Sequence, residues 1–498
     1  MKKDFLKPGG GKTASDAIRI PSVSLPKGGG AIKGIDEKFS VNAVNGTASF
    51  SIPLPSSPAR GVSPALELTY QSGAGNGIFG LGWSLNLPSI KRKTDRGLPR
   101  YEDEADSDTF LFDGFEDLVP EFAKTDDGQF LMEADGTYKY RETVSPDGLF
   151  EIRRYRPRIE GSFSRIERWR SINSREIKWR VITKDNVTTL FGWSETARIA
   201  DPQEKGRIYQ WLPEFVFDDK GNCAEYVYKN EDDKGFNPAL PHNRNRKAMG
   251  KITYVNRYLK TIWYGNTTPY RKFGDPYPDR TDYVFRMEFD YGEFDPAAPN
   301  ARTKDWEFRP DAFSDYRAGF EIRKTRLFRR VLVFHDFAEL PGGSALVRSL
   351  DFGYEFGGES PYAYLTSVTS RGYIKKPDGT YTSRSLPPLE FTYQKPEWNF
   401  AVQALSPEDL QDAPAGLAGP ACHFIDLYKE GLSGILTEQE NGWYYKRNLG
   451  SGTFTPAVQI SPKPAFIGIG SQLHLMDLDA DARNQWMLVS GGLQGYFE

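Results

Sequence analysis

Cysteine is almost absent. Cys223 and Cys422 are the only two in 498 residues, lie far apart, and could close one bridge at most. No disulfide framework holds such a fold, and a reducing compartment during synthesis is the simpler reading. The four histidines, His242, His335, His423 and His474, are too few and too scattered for a typical zinc site. Six methionines and few Ala-rich stretches argue against a helical bundle. No apolar run approaches the ~20 residues that span a bilayer, so no direct membrane insertion is expected. Neither sign of charge is in excess: 64 basic against 67 acidic residues leave a net of −3. That excludes a polycation that coats nucleic acid or anionic membrane. Met1, Lys2 and Lys3 are not followed by an apolar segment, because Lys7, Lys12 and Asp16 interrupt it. A Sec signal peptide is therefore not expected. The reading is synthesis in the cytoplasm and, for extracellular action, release by lysis or a specialised route. The sequons at Asn45, Asn186 and Asn266 then read as chance matches.

What is present is aromatic and strand-forming. The chain holds 33 Phe, 26 Tyr and 10 Trp, enough for a large core and incompatible with a disordered chain. Its length suggests two to four domains. Residues 1–37 are rich in Gly, Lys and Ser, with Gly28, Gly29 and Gly30 consecutive, and read as a flexible or surface-laid arm. From Lys38 the period becomes two. Phe39, Val41 and Ala43 alternate with polar residues, Asn45-Gly46 signals a hairpin, and Ala48, Phe50, Ile52 and Leu54 continue on a return strand. The same grammar runs to about residue 395, punctuated by Asp135-Gly136, Asp147-Gly148, Lys220-Gly221-Asn222 and Asp378-Gly379. Leu327–Phe337 admits a helical reading, but Val331, Val333 and His335 alternate, and a strand is expected.

Residues 396–420, rich in Pro, Ala and Asp, read as a linker. Beyond them the chain repeats itself. His423-Phe424-Ile425-Asp426-Leu427 recurs as His474-Leu475-Met476-Asp477-Leu478, an offset of 51. Gly442-Trp443-Tyr444 aligns with Gly495-Tyr496-Phe497, an offset of 53. A period near 50 with β-type turns is the signature of propeller blades. One and a half units cannot close a ring, so residues 421–498 are expected to be a partial propeller from a longer protein or a truncated product.

Gly75-x-Gly77-x-x-Gly80 matches the dinucleotide string, but another strand, Trp83–Leu87, follows where a helix is required. A glycine-rich β connection is expected instead. Gly11-Lys12-Thr13 lacks the first glycine of a phosphate loop, since position 6 is Leu6. Glu438-x-Glu440, the carboxylate pair an ADP-ribosyltransferase uses, runs straight into the hairpin signal Asn441-Gly442 and reads as a turn. Asp477-x-Asp479-x-Asp481 is the candidate calcium site: alternate carboxylates on a tight loop can converge on a hard cation, although no loop glycine follows. Ten cationic residues between Arg153 and Arg180, interleaved with Tyr155, Trp169 and Trp179, could form a single-strand nucleic-acid platform. Glu151, Glu160, Glu167 and Glu176 are interspersed, so a solvated face of cross-strand charge pairs is expected, without nucleic acid. The acidic cluster Glu102, Asp103, Glu104, Asp106, Asp108 reads as a solvated loop. No G-x-S-x-G or H-E-x-x-H nucleophile or metal motif is present.

Several stretches together resemble one family. They are Phe39-Ser40-Val41-Asn42 with Gly46-Thr47-Ala48, Ile52-Pro53-Leu54-Pro55, Leu66-x-Leu68-x-Tyr70 and Gly80-Leu81-Gly82-Trp83-Ser84-Leu85. Asp108-Thr109-Phe110, Glu116-Asp117-Leu118-Val119-Pro120 and the closing Leu386-Pro387-Pro388-Leu389-Glu390-Phe391-Thr392-Tyr393 complete the set. Residues 38–395 are thus similar to the SpvB-type N-terminal domain found in the B component of tripartite Tc insecticidal toxin complexes. Phe217-Asp218-Asp219-Lys220-Gly221-Asn222 resembles the turn of RHS/YD strands, and the tail resembles FG-GAP/VCBS-like blades. The resemblance implies a mainly β fold, an antiparallel shell sheet followed by incomplete propeller repeats, and a non-enzymatic, cofactor-free delivery role. Implied partners are the C component, which completes a shell around a toxic effector, and the pore-forming A component on which the propeller docks. Two other readings stay open: the delivery half of an SpvB-like ADP-ribosylating toxin, and a carbohydrate-binding or glycosidase β protein whose Asp218 and Asp219 would serve sugars.

Overall fold

The computed structural model describes residues 38–41, 47–114, 116–243, 254–295, 298, 300–356, 362–395, 400–413, 421–461, 473–478, 484–490 and 493–497. The expected arm and the turn residues Asn45-Gly46 lie outside them. Of the described residues 45% are strand and 4% helix, so the fold is mainly β. The chain divides into two compact units, Met1–Pro396 and Glu397–Glu498.

In the first unit, period-two sequences build antiparallel sheets. Strands Lys38–Val41, Ala48–Pro53, Glu67–Gln71 and Trp83–Leu85 form a four-stranded sheet. Its inward residues Ile52, Leu68 and Trp83 are almost fully buried. Phe391 and Tyr393, from the far end of the unit, close this sheet. Phe391 packs edge-on to Phe50 and Trp83 at 5.6 and 5.1 Å, and Trp83 Nε1 donates to the Tyr393 hydroxyl at 2.7 Å. Burying such large rings dominates the packing energy of the seam, at about 25 cal/mol per Å² of apolar surface.

Among the described residues the main sheet has 19 strands, most paired with their sequence neighbours. Ile177–Ile182 shows the alternation clearly: Ile177, Trp179 and Val181 are buried while Lys178, Arg180 and Ile182 are half-buried. Trp179 meets Phe110, Tyr155 and Trp211 edge-on at 5.0, 5.1 and 6.0 Å. Longer connections fold the sheet back on itself, with Leu118–Pro120 pairing Tyr155–Pro157 and Ile90–Lys91 pairing Gln210–Trp211. The ambiguous basic segment is a strand, Arg330–His335, between Tyr283–Asp290 and Ala345–Glu355. Five of its six residues are buried because both faces are covered, which erased the polar half of the alternation.

The Asp-Gly turns share one mechanism. Asp135 and Asp378 accept the N–H of the residue two ahead at 2.9 Å, and Gly136 and Gly379 take φ of +86° and +85°, where an L side chain would be strained. The string Gly75-x-Gly77-x-x-Gly80 is the expected β connection: Asn76–Gly77 pairs with Gly80–Leu81. At Gly80 a Cβ would stand 2.6 Å from the Ala363 carbonyl, and Leu81 N–H donates to that same oxygen at 2.9 Å. These glycines let two backbones touch.

The second unit holds two β repeats. Cys422–Ile425, Gly434–Gln439, Gly442–Lys446 and Val458–Ile460 form one antiparallel sheet, and Leu473–Met476, Gln485–Ser490 and Leu493–Phe497 another. His423 pairs Leu436 and Leu436 pairs Tyr445; His474 pairs Met487 and Met487 pairs Tyr496. Every one of these positions recurs at an offset of 51, so the 53-residue alignment of the third strand is corrected to 51. A slip of two keeps side chains on the same face, which is why aromatic matching alone did not detect it. Leu436, Trp443, Tyr445 and Trp486 form the core, with the two indoles 5.3 Å apart. Within the stretch read as linker, Pro407–Leu410 is a short helix whose cap, Ser406, accepts from Asp409 N–H at 3.0 Å.

Candidate functional site

The residues singled out from sequence fall in different places. Asp477 ends a strand and is ion-paired with Lys429; Asp479 and Asp481 lie outside the described residues. A lysine ammonium would have to leave Asp477 before a cation could enter. Among the described residues no three His, Cys, Asp or Glu side chains gather closely enough to hold a metal. Glu438 sits on its hairpin strand and accepts from Trp443 Nε1 at 3.2 Å. His423 and His474 occupy the same register position in the two repeats. His335 Nε2 and Ser57 Oγ are 2.6 Å apart, which ties an N-terminal loop to the main sheet. Cys223 is fully buried, and burial pushes its thiol up to about 11. Such a thiol is inert at neutral pH.

The Arg-rich segment makes the cross-strand charge pairs expected of it, Glu151 with Arg170 and Glu167 with Arg180, and differs in solvation. Its face was expected to be solvated, and so was the acidic loop. Instead Glu167 and Arg168 are 0% and 2% exposed, and the loop folds onto the sheet as its counter-charge. Asp103 and Asp108 hold the buried Arg92 at 2.7 and 2.8 Å, and Arg92 Nε donates to the Ile208 carbonyl. Asp106 takes Arg153 at 2.5 Å and Arg168 at 3.2 Å, while Glu104 takes Arg170 at 2.9 Å. Burial pushes the Asp106 carboxyl up, but these guanidiniums outweigh it and hold it below the usual range. Glu167 accepts from Arg180 at 2.6 Å, from Arg165, and from Trp169 Nε1 at 3.1 Å. Arg153, Arg165, Arg168, Arg170 and Arg180, which the platform reading offered to phosphates, are matched to carboxylates. The two opposite charge runs were visible in the sequence; their juxtaposition was not, because it joins residues some 50–70 positions apart.

Sequence reasoning missed a basin of about 580 Å³ on the main sheet. Its floor is a row of charge across four neighbouring strands. Asp290 faces Arg330, which faces Asp351, with Arg371 two residues beyond Asp351's partner Thr369 on the next strand. Arg330 binds Asp290 at 2.8 Å and Arg371 Nε binds Asp351 at 2.6 Å. On the rim, Arg329 binds Glu307 at 2.8 Å, beside Lys304. Phe294, Phe352, Tyr373, Tyr381 and Ser383 complete the lining. The wall is preformed: Asp290 Oδ1 accepts the N–H groups of Gly292, Glu293 and Phe294 at 2.9, 2.8 and 3.2 Å. Gly292 has φ of +99°, and a Cβ there would meet Glu307 Cγ at 2.7 Å. Four different strands supply the floor, so nothing short of their register could have revealed it.

These features define a class: a large strand-built scaffold domain followed by a smaller unit of β repeats. The chain belongs to the SpvB family, since the family model described as Salmonella virulence plasmid 65kDa B protein matches residues 42–337. It is similar to the mono(ADP-ribosyl)transferases SpvB of Salmonella choleraesuis (strain SC-B67) and Salmonella typhimurium, at 37% identity over 69% of this chain and 38% over 66%. The chain spans 56% and 54% of their length, about half of each. Among solved structures it resembles the Photorhabdus luminescens Tc holotoxin pore, with TM-score 0.75 and 31% identity over 96% of this chain and 22% of that one. The TcdB2-TccC3 crystal structure gives TM-score 0.72 and 31% identity over 95% and 22%. The N-terminal domain of the effector SpvB from Salmonella typhimurium strain LT2 gives TM-score 0.54 and 34% identity, over 65% of this chain and 98% of that domain. The SpvB/Tc-toxin relationship expected from the sequence is therefore established, and the chain is a toxin-related structural domain.

Proposed function

We propose that this chain is the shell-forming N-terminal part of a toxin-complex B-type subunit, acting outside the producing cell, with no reaction of its own. Its main sheet would form part of the wall around a toxic effector carried by a C-type subunit. Residues 421–498 would begin the propeller that docks on a pore-forming A-type subunit. One observation carries this reading: the likeness to Tc assemblies runs through 96% of the chain, whereas the full-length SpvB relatives align over only 69% and 66% of it. The excess favours the Tc-type arrangement. A continuous antiparallel sheet suits a wall, because each strand edge is satisfied by the next. The second reading, the delivery half of an ADP-ribosylating toxin, is favoured by the names of the curated relatives. Co-expression of the gene product carrying this chain with a matching C-type subunit separates the two. The expected result is a co-purifying complex in which the effector segment resists added protease. A chain that purifies alone and transfers ADP-ribose to a protein acceptor overturns the first reading in favour of the second.

A further inference from the structure

The geometry points to the Asp290–Arg371 basin as a binding site for a carboxylated sugar, of the uronic or sialic acid type. The volume, about 580 Å³, falls in the range of small-molecule sites. Its charge is specific. The three carboxylates of the lining, Asp290, Glu307 and Asp351, are each engaged by a guanidinium of the same lining. Lys304 is the fourth cation, and among the described residues no carboxylate lies within ion-pair distance of its ammonium. The basin thus carries one positive charge in excess, which selects a ligand with one negative charge.

Hydrogen-bonding capacity is equally one-sided. Among the described residues, Arg371 uses only Nε, and Arg329 only one terminal nitrogen, on carboxylates. A guanidinium has five N–H donors, so most of theirs remain for a guest. The Tyr381 hydroxyl accepts from Leu346 N–H at 3.1 Å, which leaves its own proton to donate. Ser383 adds another hydroxyl at the exposed edge. A guest that satisfies so many donors carries several acceptor oxygens. Half-buried Tyr373, with the buried Phe294 and Phe352 beside it, gives the same space an apolar side against which the C–H face of a pyranose packs. A bare phosphate would satisfy the charge but not cover the apolar part of the lining. The floor is held by its own ion pairs and by the Asp290 loop, so little ordering is needed on binding.

The proposal stands apart from the shell reading, because it reads a solution equilibrium of this chain alone. Isothermal titration and ligand-observed NMR with glucuronate, N-acetylneuraminate, glucose and inorganic phosphate test it. Saturable binding of at least one acidic sugar is expected, with glucose about tenfold weaker or worse, as befits loss of a charge-assisted contact. Lys304→Gln, at an exposed site, is expected to weaken the acidic sugar by about tenfold without moving Tm. Tyr381→Phe is expected to weaken acidic and neutral sugars alike. Absence of saturable binding by either acidic sugar overturns the proposal. So does phosphate that binds as well as the sugars, or tight capture of a poly-aspartate peptide instead of them, or sugar affinity that neither variant changes.

Discussion

The same residue types, arginine and acid, are used in opposite ways in two regions of the main domain. Around Arg326 the network is closed. Its five N–H groups reach Glu231, both the carbonyl and carboxylate of Asp232, and the carbonyls of Lys234 and Trp306, and its side chain is 0% exposed. Tyr258 donates to the second oxygen of Glu231 at 2.6 Å, and Trp306 Nε1 to Asp232 at 2.6 Å. At the basin, Arg371 is 42% exposed and keeps most of its donors unspent. A closed network fixes the fold, because desolvated charges tolerate no missing partner. An open one contributes little to stability and leaves donors for something else.

The largest effect that could break this contrast is at Arg326. Arg326→Ala leaves Glu231 and Asp232 without their shared cation, and a loss of about 3–5 kcal/mol is expected in urea denaturation. A loss below about 1 kcal/mol would show that the closed network is not what holds this region. Next comes Asp106→Asn, which leaves the nearly buried Arg168 without its carboxylate and the half-buried Arg153 with Glu142 alone. About 1–3 kcal/mol is expected, read by the same titration. The pH dependence of that variant sharpens the point. The Asp106 carboxyl is held below its ordinary value in the fold, so its contribution is complete above the unfolded value near 4. It is lost as pH falls through the lowered folded value. Wild-type Tm should therefore fall more steeply between about pH 5 and pH 3 than that of Asp106→Asn; parallel curves would sink the assignment. The smallest effect belongs to the basin: Arg371→Gln should cost under about 1 kcal/mol in stability, because its pair is open to water. A cost equal to that of Arg326→Ala would abolish the distinction between the two regions.

Local chemistry was legible wherever neighbours in sequence are neighbours in space. Asp135-Gly136 and Asp378-Gly379 announced their turns, because the aspartate caps its own loop and only glycine is unstrained at the next position. Ile177, Trp179 and Val181 announced a buried face by alternation alone. The glycines at 75, 77 and 80 were correctly read as a β connection, since a strand rather than a helix follows them. Where the reading failed, distance in sequence was the cause. Glu104 and Asp106 looked like parts of a solvated loop because their partners Arg170, Arg153 and Arg168 arrive only when the chain returns. Asp103 and Asp108 close on Arg92, 11 and 16 residues back, once the loop folds over it. The basin was invisible for the same reason, its floor being assembled from residues on four strands.

The amino-acid sequence by itself determined the strands, most of the turns, the repeat and the family, since these depend on period two, on turn residues and on local motifs that need no long-range register. Tertiary structure alone decided which charges close on each other and which stay open to a guest. That choice depends on strand register and desolvation, which exist only once distant segments of the chain lie side by side.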